Sequence, residues 1–310
     1  MSSQYPAVDP NGLLEYSVVF TDRSLNHMSQ QFQQVMRDIS AGLKRTYNAS
    51  AVAVVPGGGT YGMEAVARQF GNGKKCMVLR NGWFSYRWSQ IFEAGQIPAQ
   101  EIVLKARPIA EGPQQPWAPA PLDEVLASIR QHKPDLVFAP HVETSSGIIL
   151  PDTYLRAVAD AVHAHGGLFV LDCIASGAIW VDMQACAIDV LISAPQKGWS
   201  ASPCSALVML GAQAAERITQ TRSSSFACDL LKWLQIMQAY ENGGHAYHAT
   251  LPTDALARFC QSMQEAQGHG LELLKANQWE LGNRVRALMA ENGFPSVAAA
   301  GWQVPRLVVG

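Results

Sequence analysis

Short apolar runs alternate with helical patterns along most of the chain. Strands buried in a parallel sheet are nearly continuous apolar runs, whereas an amphipathic helix repeats its apolar residues every three or four positions. The predicted strands are AVAVV (51–55), CMVL (76–79), LVFAP (136–140), LFVLD (168–172), DVLISA (189–194) and ALVML (206–210). The predicted helices are 60–70, 122–131 and 152–165, the last capped at Pro151-Asp152 and ended by Gly166-Gly167. This alternation predicts an α/β fold with a mainly parallel central sheet covered by helices.

Two segments depart from this alternation. Residues 106–121 contain too many prolines for regular structure and are predicted to form a surface loop. Long helical patterns begin at about residue 254, so we expect a domain boundary near residue 250. We therefore expect a large domain over residues 1–250, followed over 251–310 by linking helices and the start of a smaller domain. The final RLVVG is typical of the opening of a strand.

The composition excludes several classes of protein. Of the 310 residues, 48% are hydrophobic and 15% are charged, which is typical of a globular protein. The net charge of −2 lacks the basic excess of a nucleic-acid-binding protein. Asp172 interrupts the best candidate for a membrane span, and the first residues lack the pattern of a secretory signal. The six cysteines form no CxxC pair and the histidine spacings fit no metal site, so we expect buried thiols in a reducing cytoplasm and no metal.

A glycine-rich turn lies between a predicted strand and a predicted helix. Gly57, Gly59 and Gly62 complete the pattern GxGxxG. Glycine lets the backbone approach a phosphate, and a helix N-terminus offers free N–H groups and a positive dipole end. A dinucleotide site also needs an acidic residue about 20 positions later, but the next strand is followed by Arg80-Asn81. An NADP-binding reductase, another phosphate site and a turn without ligand are all open at this point.

Two charged residues follow later strands. Asp172 ends one predicted strand, and Lys197 lies just beyond the end of another. In an open α/β sheet both positions reach the crevice where ligands bind. Lys197 has no acidic neighbour in the sequence and is therefore a candidate reactive amine. A phosphate-binding turn, an amine and a carboxylate in one crevice predict pyridoxal phosphate as the cofactor.

Six stretches carry a family resemblance, in the order PGGGTYGMEA, NGWFSYR, HVETSSG, LDCIAS, SAPQKGWSASP and YHATLP. In these stretches, from about residue 50 to 255, the chain resembles the class V aminotransferases of the fold-type I pyridoxal-phosphate enzymes. It is most similar to their alanine–glyoxylate/serine–pyruvate group. The resemblance implies the fold-type I architecture, with a smaller C-terminal α+β domain that is incomplete here. It also implies a homodimer, to which the composition adds a cytoplasmic location and no binding to nucleic acid or membrane.

The resemblance implies that several residues surround the cofactor phosphate. Gly58, Gly59 and Thr60 would cradle it, and Gln196 would lie beside it. Tyr247 and Thr250 would reach the phosphate of the neighbouring subunit, which would make the active site a property of the dimer. Packing at an interface without phosphate contact is the alternative for Tyr247.

The resemblance assigns five further residues to the cofactor ring. Phe84 would stack on the pyridine ring and Ile174 would pack on its other face. Thr144 would hydrogen-bond the phenolic oxygen, Asp172 would pair with the ring nitrogen, and Lys197 would form the Schiff base. The alternatives are an ordinary core position for Phe84 and Ile174, and a turn cap for Thr144.

The implied activity is an aminotransferase that moves an amino group from a small amino acid of the alanine or serine type. The acceptor would be a 2-oxo acid such as glyoxylate or pyruvate. A lyase or desulfurase, and a cofactor-binding homologue with little activity, are the alternatives. A desulfurase needs a mobile catalytic cysteine in the C-terminal half, and Cys228 and Cys260 lack a loop context suited to that role.

Two departures from the family concern the substrate. Relatives open with a Gly-Pro-rich segment, whereas this chain has EYSVVFTDRSLNHMS (15–29). Relatives also hold the substrate carboxylate with an arginine in a region beyond this chain's last residue. Arg87, Arg222 and Arg306 are the candidates within the chain.

Overall fold

The computed structural model of the protein describes residues 25–112, 114–305 and 309. Its strands are β1 (Ala51–Pro56), β2 (Lys75–Arg80), β3 (Gln100–Lys105), β4 (Arg107–Pro108), β5 (Trp117–Ala118), β6 (Leu136–Pro140), β7 (Val142–Glu143), β8 (Ile148–Ile149), β9 (Leu168–Asp172), β10 (Val190–Ser193) and β11 (Ser205–Leu210). Its α-helices are α1 (Gln30–Tyr47), α2 (Gly59–Phe70), α3 (Trp83–Gly95), α4 (Leu122–His132), α5 (Asp152–His163), α6 (Ala212–Arg217), α7 (Leu230–Glu241), α8 (Thr253–His269) and α9 (Leu271–Glu291).

Seven of the strands form one sheet in the order β1-β11-β10-β9-β6-β2-β3. The pairs β10-β9, β9-β6, β6-β2 and β2-β3 are parallel, whereas β11 runs antiparallel to both of its neighbours. Six strands therefore share one direction, and their carboxyl ends lie along one edge of the sheet. The predicted α/β architecture with a mainly parallel sheet is confirmed.

The core follows from the apolar patterning of strands and helices. Every residue of β6, β9, β10 and β11 is buried, as expected for strands covered on both faces. Helix α1 buries Phe32, Met36, Ile39 and Leu43, which are spaced three or four apart. The buried face of α1 joins the same hydrophobic core as the sheet.

All six predicted strands and the three predicted helices are present, with boundaries that differ by a few residues. The sequence patterns missed the edge strand β3, whose residues are exposed or half-buried, so that it lacks a continuous apolar run. The Pro-rich segment 106–121 is not entirely irregular, because it contains the short antiparallel pair β4-β5. The expected cap of α5 is corrected too: Pro151 is the N-cap and no side chain bonds there, while Asp152 is the first helical residue.

The helices predicted after residue 254 are α8 and α9, and they differ in burial. Helix α8 contributes Leu256, Phe259 and Met263 to the main core. Helix α9 buries only Gly282 within the described chain. A domain boundary near residue 250 stays a prediction, and most of RLVVG lies outside the described residues. None of the helices in the described ranges combines the length and apolar character that crossing a bilayer demands.

A hydrogen bond between a half-buried histidine and a buried carboxylate links α5 to the sheet and predicts a pH-dependent stability. Asp189 Oδ2 accepts hydrogen bonds from the Phe169 N–H and from His163 Nε2, both at 2.7 Å. The hydrogen bond to Asp189 raises the pKa of His163, and partial burial opposes it. A raised folded-state pKa means that the protonated histidine stabilises the fold below about pH 6.5, and that this contribution is lost at higher pH.

We therefore expect His163→Gln to lower the free energy of unfolding more at about pH 5.5 than at about pH 8.5. Urea unfolding at both pH values measures this difference. His165→Gln is the control, because that ring bonds the neutral carbonyl of Pro134 at 2.8 Å. An equal loss of stability at both pH values for His163→Gln would contradict the assignment.

Candidate active site

Most of the residues that the sequence singled out lie at or near the carboxyl edge of the sheet. Strand β1 ends at Pro56, just before the glycine turn, and β9 ends at Asp172. Strand β10 ends at Ser193, four residues before Lys197. Parallel strands direct these segments to one side of the sheet, where α/β proteins bind their ligands.

Three positions of the glycine turn disfavour any residue other than glycine, either by backbone conformation or by close contacts. Gly57 has a positive φ of +118°, which favours glycine. A Cβ at Gly59 would lie 2.5 Å from Ile174 Cδ1, and one at Gly62 would lie 2.5 Å from the Cβ of Ala206. The N-cap of α2 is Gly58, beside which a Cβ would meet nothing within 4 Å. Open space thus adjoins the first turn of the helix. The Tyr61 N–H already bonds the Gly58 carbonyl at 2.9 Å, whereas the Gly59 and Thr60 N–H groups have no acceptor among the described residues and suit an anion.

The close contact between Gly59 and Ile174 predicts unequal effects of two neighbouring substitutions. Gly59→Ala should lower the free energy of unfolding by about 1–3 kcal/mol, because Ile174 must shift to admit the new methyl group. Gly58→Ala is the matched control and should cost less than about 1 kcal/mol. Chemical denaturation of both variants measures the effect. In an Ile174→Ala background the penalty of Gly59→Ala should disappear, and its persistence would show that this contact is not responsible.

Asp172 is a buried carboxylate at the end of β9, with 8% of its surface exposed. Its Oδ1 accepts a 2.9 Å hydrogen bond from the Ile174 N–H. Burial raises the pKa of Asp172 to about 6, and the charge of Glu143 acts in the same direction; this hydrogen bond, Arg87 and Lys197 oppose the rise. A desolvated carboxylate of this kind is best satisfied by a cationic N–H donor, and a protonated ring nitrogen is such a donor.

Lys197 is half-buried in the loop after β10. Its neighbour Gly198 packs directly on the Gly177 carbonyl, where a Cβ would overlap the backbone. This contact holds the lysine loop against the segment that follows Asp172. Beside the lysine, the buried Oε1 of Gln196 has no hydrogen-bond partner among the described residues. An unpaired buried amide group costs free energy. A 180° flip of the amide exchanges the positions of its oxygen and its NH2, so this side chain could either accept a hydrogen bond from a polar ligand or donate one to it.

Arg87 contacts both Phe84 and Thr60. The Arg87 Cζ lies 5.2 Å from the centroid of the Phe84 ring. Its Nη1 donates a 3.1 Å hydrogen bond to Thr60 Oγ1. The ring of Phe84 is 37% exposed, which leaves surface available to a ligand. Of the other two arginines considered for the substrate carboxylate, Arg222 makes no hydrogen bond or cation–π contact with these residues in the described part of the chain, and Arg306 lies outside the described residues.

The remaining predicted residues lie on two loops. Thr144 is half-buried in the turn between β7 and β8. Tyr247 and Thr250 lie between α7 and α8, where their hydroxyl oxygens are 3.5 Å apart and the tyrosine is 65% exposed. Among the described residues, no hydrogen bond or ring contact joins these two to Asp172 or Lys197.

Sequence reasoning missed two buried polar residues behind the crevice. Glu143 accepts hydrogen bonds from the start of α3, the helix that carries Phe84. His141 Nδ1 lies 2.7 Å from Ser176 Oγ, and burial lowers the pKa of His141 to about 4, so that its ring is neutral at pH 7. Both lie within HVETSSG (141–147), of which the sequence analysis singled out only Thr144. Their burial and partners are visible only in three dimensions.

Comparison with known families agrees with this geometry. Residues 13–295 match the family described as Aminotransferase class-V. The chain belongs to the class V aminotransferase family. This membership confirms the family resemblance inferred from the six sequence stretches.

Named relatives of this class V chain include an alanine–glyoxylate aminotransferase of Felis catus. It is 29% identical, over 86% of this chain and 61% of its own length. The small subunit of a soluble hydrogenase of Synechococcus sp. (strain PCC 6716) is 28% identical, over 91% of this chain and 71% of its own length. The chain thus spans less than two thirds of the cat protein.

Among solved structures, an alanine–glyoxylate aminotransferase of Nostoc sp. aligns with a TM-score of 0.79. The alignment covers 91% of this chain and 72% of the Nostoc chain, at 20% sequence identity. The class V chain therefore has the architecture of the fold-type I enzymes, as its sequence resemblance predicted.

Proposed function

We propose that this chain is a pyridoxal-phosphate-dependent aminotransferase. It would move an amino group from a small amino acid of the alanine or serine type to a 2-oxo acid such as glyoxylate or pyruvate. The observation that carries the proposal is the buried Asp172 at the end of β9, because the segment after it packs on the glycine turn through Ile174 and on the Lys197 loop through Gly177. The class V membership and the names of the cat and Nostoc proteins support the transaminase reaction.

The residues of the crevice fit this cofactor. The open N-terminus of α2 at Gly58, Gly59 and Thr60 would hold the phosphate, with Gln196 beside it. Asp172 would hold the ring nitrogen, and Lys197 would hold the cofactor covalently through its amine. The ring would lie between Phe84 and Ile174, with Thr144 at its phenolic oxygen.

When bound, pyridoxal phosphate supplies an aldehyde for the substrate amine and a ring that accepts the electron pair released from Cα. Asp172 would hold a proton at the ring nitrogen, which would favour that electron flow. The Lys197 amine would take the proton from the substrate Cα as a base and later return it as an acid. Arg87 is the cation on this side of the crevice that we assign to the substrate carboxylate.

The alternatives fit the site less well. Cys228 and Cys260 are buried, and burial raises the pKa of both thiols, that of Cys260 to about 11. A desulfurase nucleophile must be an accessible thiolate, so neither cysteine suits that role. The class V membership also leaves an NADP-binding reductase with no support beyond the glycine turn.

We also propose a homodimer in which Tyr247 and Thr250 reach the partner's phosphate site. The Tyr247 ring lies 5.4 Å from that of His27, between centroids. The adjacent His248 lies 4.6 Å from the ring of Phe226, which is 76% exposed. Large exposed aromatic side chains of this kind are typical of a surface that contacts another subunit.

Two further proposals concern location and domain organisation. All six cysteines are free thiols, which supports a reducing compartment such as the cytoplasm. Helix α9 leaves Leu273, Leu281 and Leu288 more than half exposed. These apolar side chains support the assignment of residues 251–310 to linking helices and the start of a smaller domain.

Spectroscopy followed by product analysis tests the proposed reaction. We expect added pyridoxal phosphate to give the purified protein a visible absorption band that borohydride removes. Alanine or serine should then convert the bound cofactor to its amine form and release the matching 2-oxo acid, and glyoxylate or pyruvate should reverse the change. A protein that binds the cofactor without releasing a 2-oxo acid from any amino donor would be the inactive homologue instead.

A further inference from the structure

Glu143 accepts five hydrogen bonds, more than any other carboxylate of the described chain. It has no role in the reaction proposed above. It ends β7 and is 0% exposed. Its Oε1 accepts hydrogen bonds from the Phe84 N–H (3.1 Å), the Ser145 N–H (3.2 Å) and Ser145 Oγ (2.8 Å). Its Oε2 accepts from the Ser85 N–H (2.9 Å) and Ser85 Oγ (2.6 Å). An ionised carboxylate is tolerated in such burial only when donors surround it in this way.

These bonds attach the start of α3 to a distant part of the chain. The N-cap of α3 is Gly82, which has no side chain to accept from the first turn, so the acceptor comes from Glu143 instead. A Cβ at Gly82 would lie 2.8 Å from the Glu143 Cγ and Cδ. Ser145 Oγ completes the attachment by accepting a 2.8 Å hydrogen bond from the Trp83 N–H. The N–H groups of Trp83, Phe84 and Ser85 are therefore all bonded by residues of the β7–β8 segment.

The attachment controls the direction of one side chain of the proposed site. Because the Phe84 N–H bonds the carboxylate directly, the carboxylate fixes the backbone from which the Phe84 ring projects. Arg87, on the next turn of the helix, contacts that ring and Thr60. Glu143 also lies close enough to Asp172 to raise the pKa of that carboxyl.

We propose that Glu143 is a positioning residue that fixes the start of α3 so that the Phe84 ring stacks on the bound cofactor. The inference rests on the proposed function, because it needs pyridoxal phosphate in the crevice. It assigns to Glu143 an action through Phe84 and no direct contact with cofactor or substrate.

A double-mutant cycle on cofactor affinity tests this action. Glu143→Gln retains the shape of the side chain but places an NH2 group against backbone donors. We expect it to weaken pyridoxal phosphate binding about 10- to 100-fold, the range for losing a hydrogen bond to a charged group. Phe84→Leu removes the ring but keeps the N–H. If Glu143 acts through Phe84, the double variant should bind no more weakly than the weaker single variant.

The control and the second variant come from the same region. Ser146→Ala removes a 3.0 Å hydrogen bond to the Asn81 carbonyl but leaves the bond between the Phe84 N–H and Glu143 in place. It should change the affinity for pyridoxal phosphate less than about threefold. If Glu143→Gln does not fold, Ser85→Ala replaces it. That variant removes the 2.6 Å bond to Oε2 and the bonds that Ser85 Oγ makes within residues 81–82, but it leaves the Phe84 N–H bonded to Oε1. It should weaken binding by a smaller factor and show the same non-additivity with Phe84→Leu.

The outcomes separate this inference from the proposed function. A wild-type protein that does not bind pyridoxal phosphate would overturn both. Wild-type binding with fold-changes that multiply in the double variant would overturn the positioning role alone, since a purely structural effect of Glu143 is independent of the ring. Unchanged affinity in Glu143→Gln or in Phe84→Leu would also overturn it. The melting temperature of each cofactor-free variant shows how much of any loss is general destabilisation.

Discussion

Replacing Lys197 by alanine is expected to abolish covalent attachment of pyridoxal phosphate and to slow transamination by at least about 10³-fold. General acid–base catalysis by one side chain typically contributes about 10²–10⁴-fold, and this variant loses the covalent anchor as well. Absorption spectra with added cofactor, single-turnover rates with alanine or serine, and cofactor affinity measure the three effects separately.

Borohydride reduction followed by peptide mapping locates the attachment in the wild-type protein. Lys74→Ala is the control, because Lys74 is exposed and precedes β2, at the opposite edge of the sheet. That variant should retain the spectrum and the rate. A cofactor found on Lys74, Lys75 or Lys232 would place the site elsewhere.

Asp172→Asn is expected to act in opposite directions on stability and on activity. In the cofactor-free protein the pKa of Asp172 is raised from 3.8 to about 6 by burial. A carboxyl with a raised folded-state pKa binds its proton more tightly when folded, so ionising it at neutral pH destabilises the fold. Asparagine cannot ionise. We therefore expect the free energy of unfolding of the variant to exceed that of the wild type by on the order of 3 kcal/mol at pH 7.

The gain in stability should vanish below about pH 4, where the aspartate is protonated in both states. Asp123→Asn, at an exposed carboxylate in the first turn of α4, is the control and should change stability by less than about 1 kcal/mol. Denaturant unfolding of the cofactor-free variants across this pH range measures both. A loss of stability in Asp172→Asn at pH 7 would show that the carboxylate is satisfied without a ligand.

With cofactor bound, the same substitution should slow transamination by about 10²–10³-fold, the usual effect of removing one electrostatic stabiliser. The neutral amide no longer holds the ring nitrogen protonated, although the cofactor can still attach to Lys197. Single-turnover rates at matched cofactor occupancy measure the effect. Turnover within a few-fold of wild type would mean that Asp172 does not face the ring nitrogen.

The sequence by itself determined the strands of the sheet centre and the chemistry at their ends. Runs such as LVFAP (136–140) and LFVLD (168–172) are apolar at nearly every position, and only burial on both faces of a sheet accommodates them. A charged residue at the end of such a run must lie at the sheet edge, which made Asp172 recognisable. The glycine spacing was equally local, because a positive φ and a helix start require it within a few residues.

The tertiary structure alone decided which distant residues meet at that edge. The edge strand β3 and the strand order depend on pairing across the sheet, which leaves no periodic pattern in the chain. Glu143 lies 59 positions from Phe84, and Thr60 lies 27 positions from Arg87, yet hydrogen bonds join both pairs. Sequence periodicity reports which face of an element is buried, not which residues it contacts there. The attachment of Phe84 to a buried carboxylate therefore became visible only once the chain was folded.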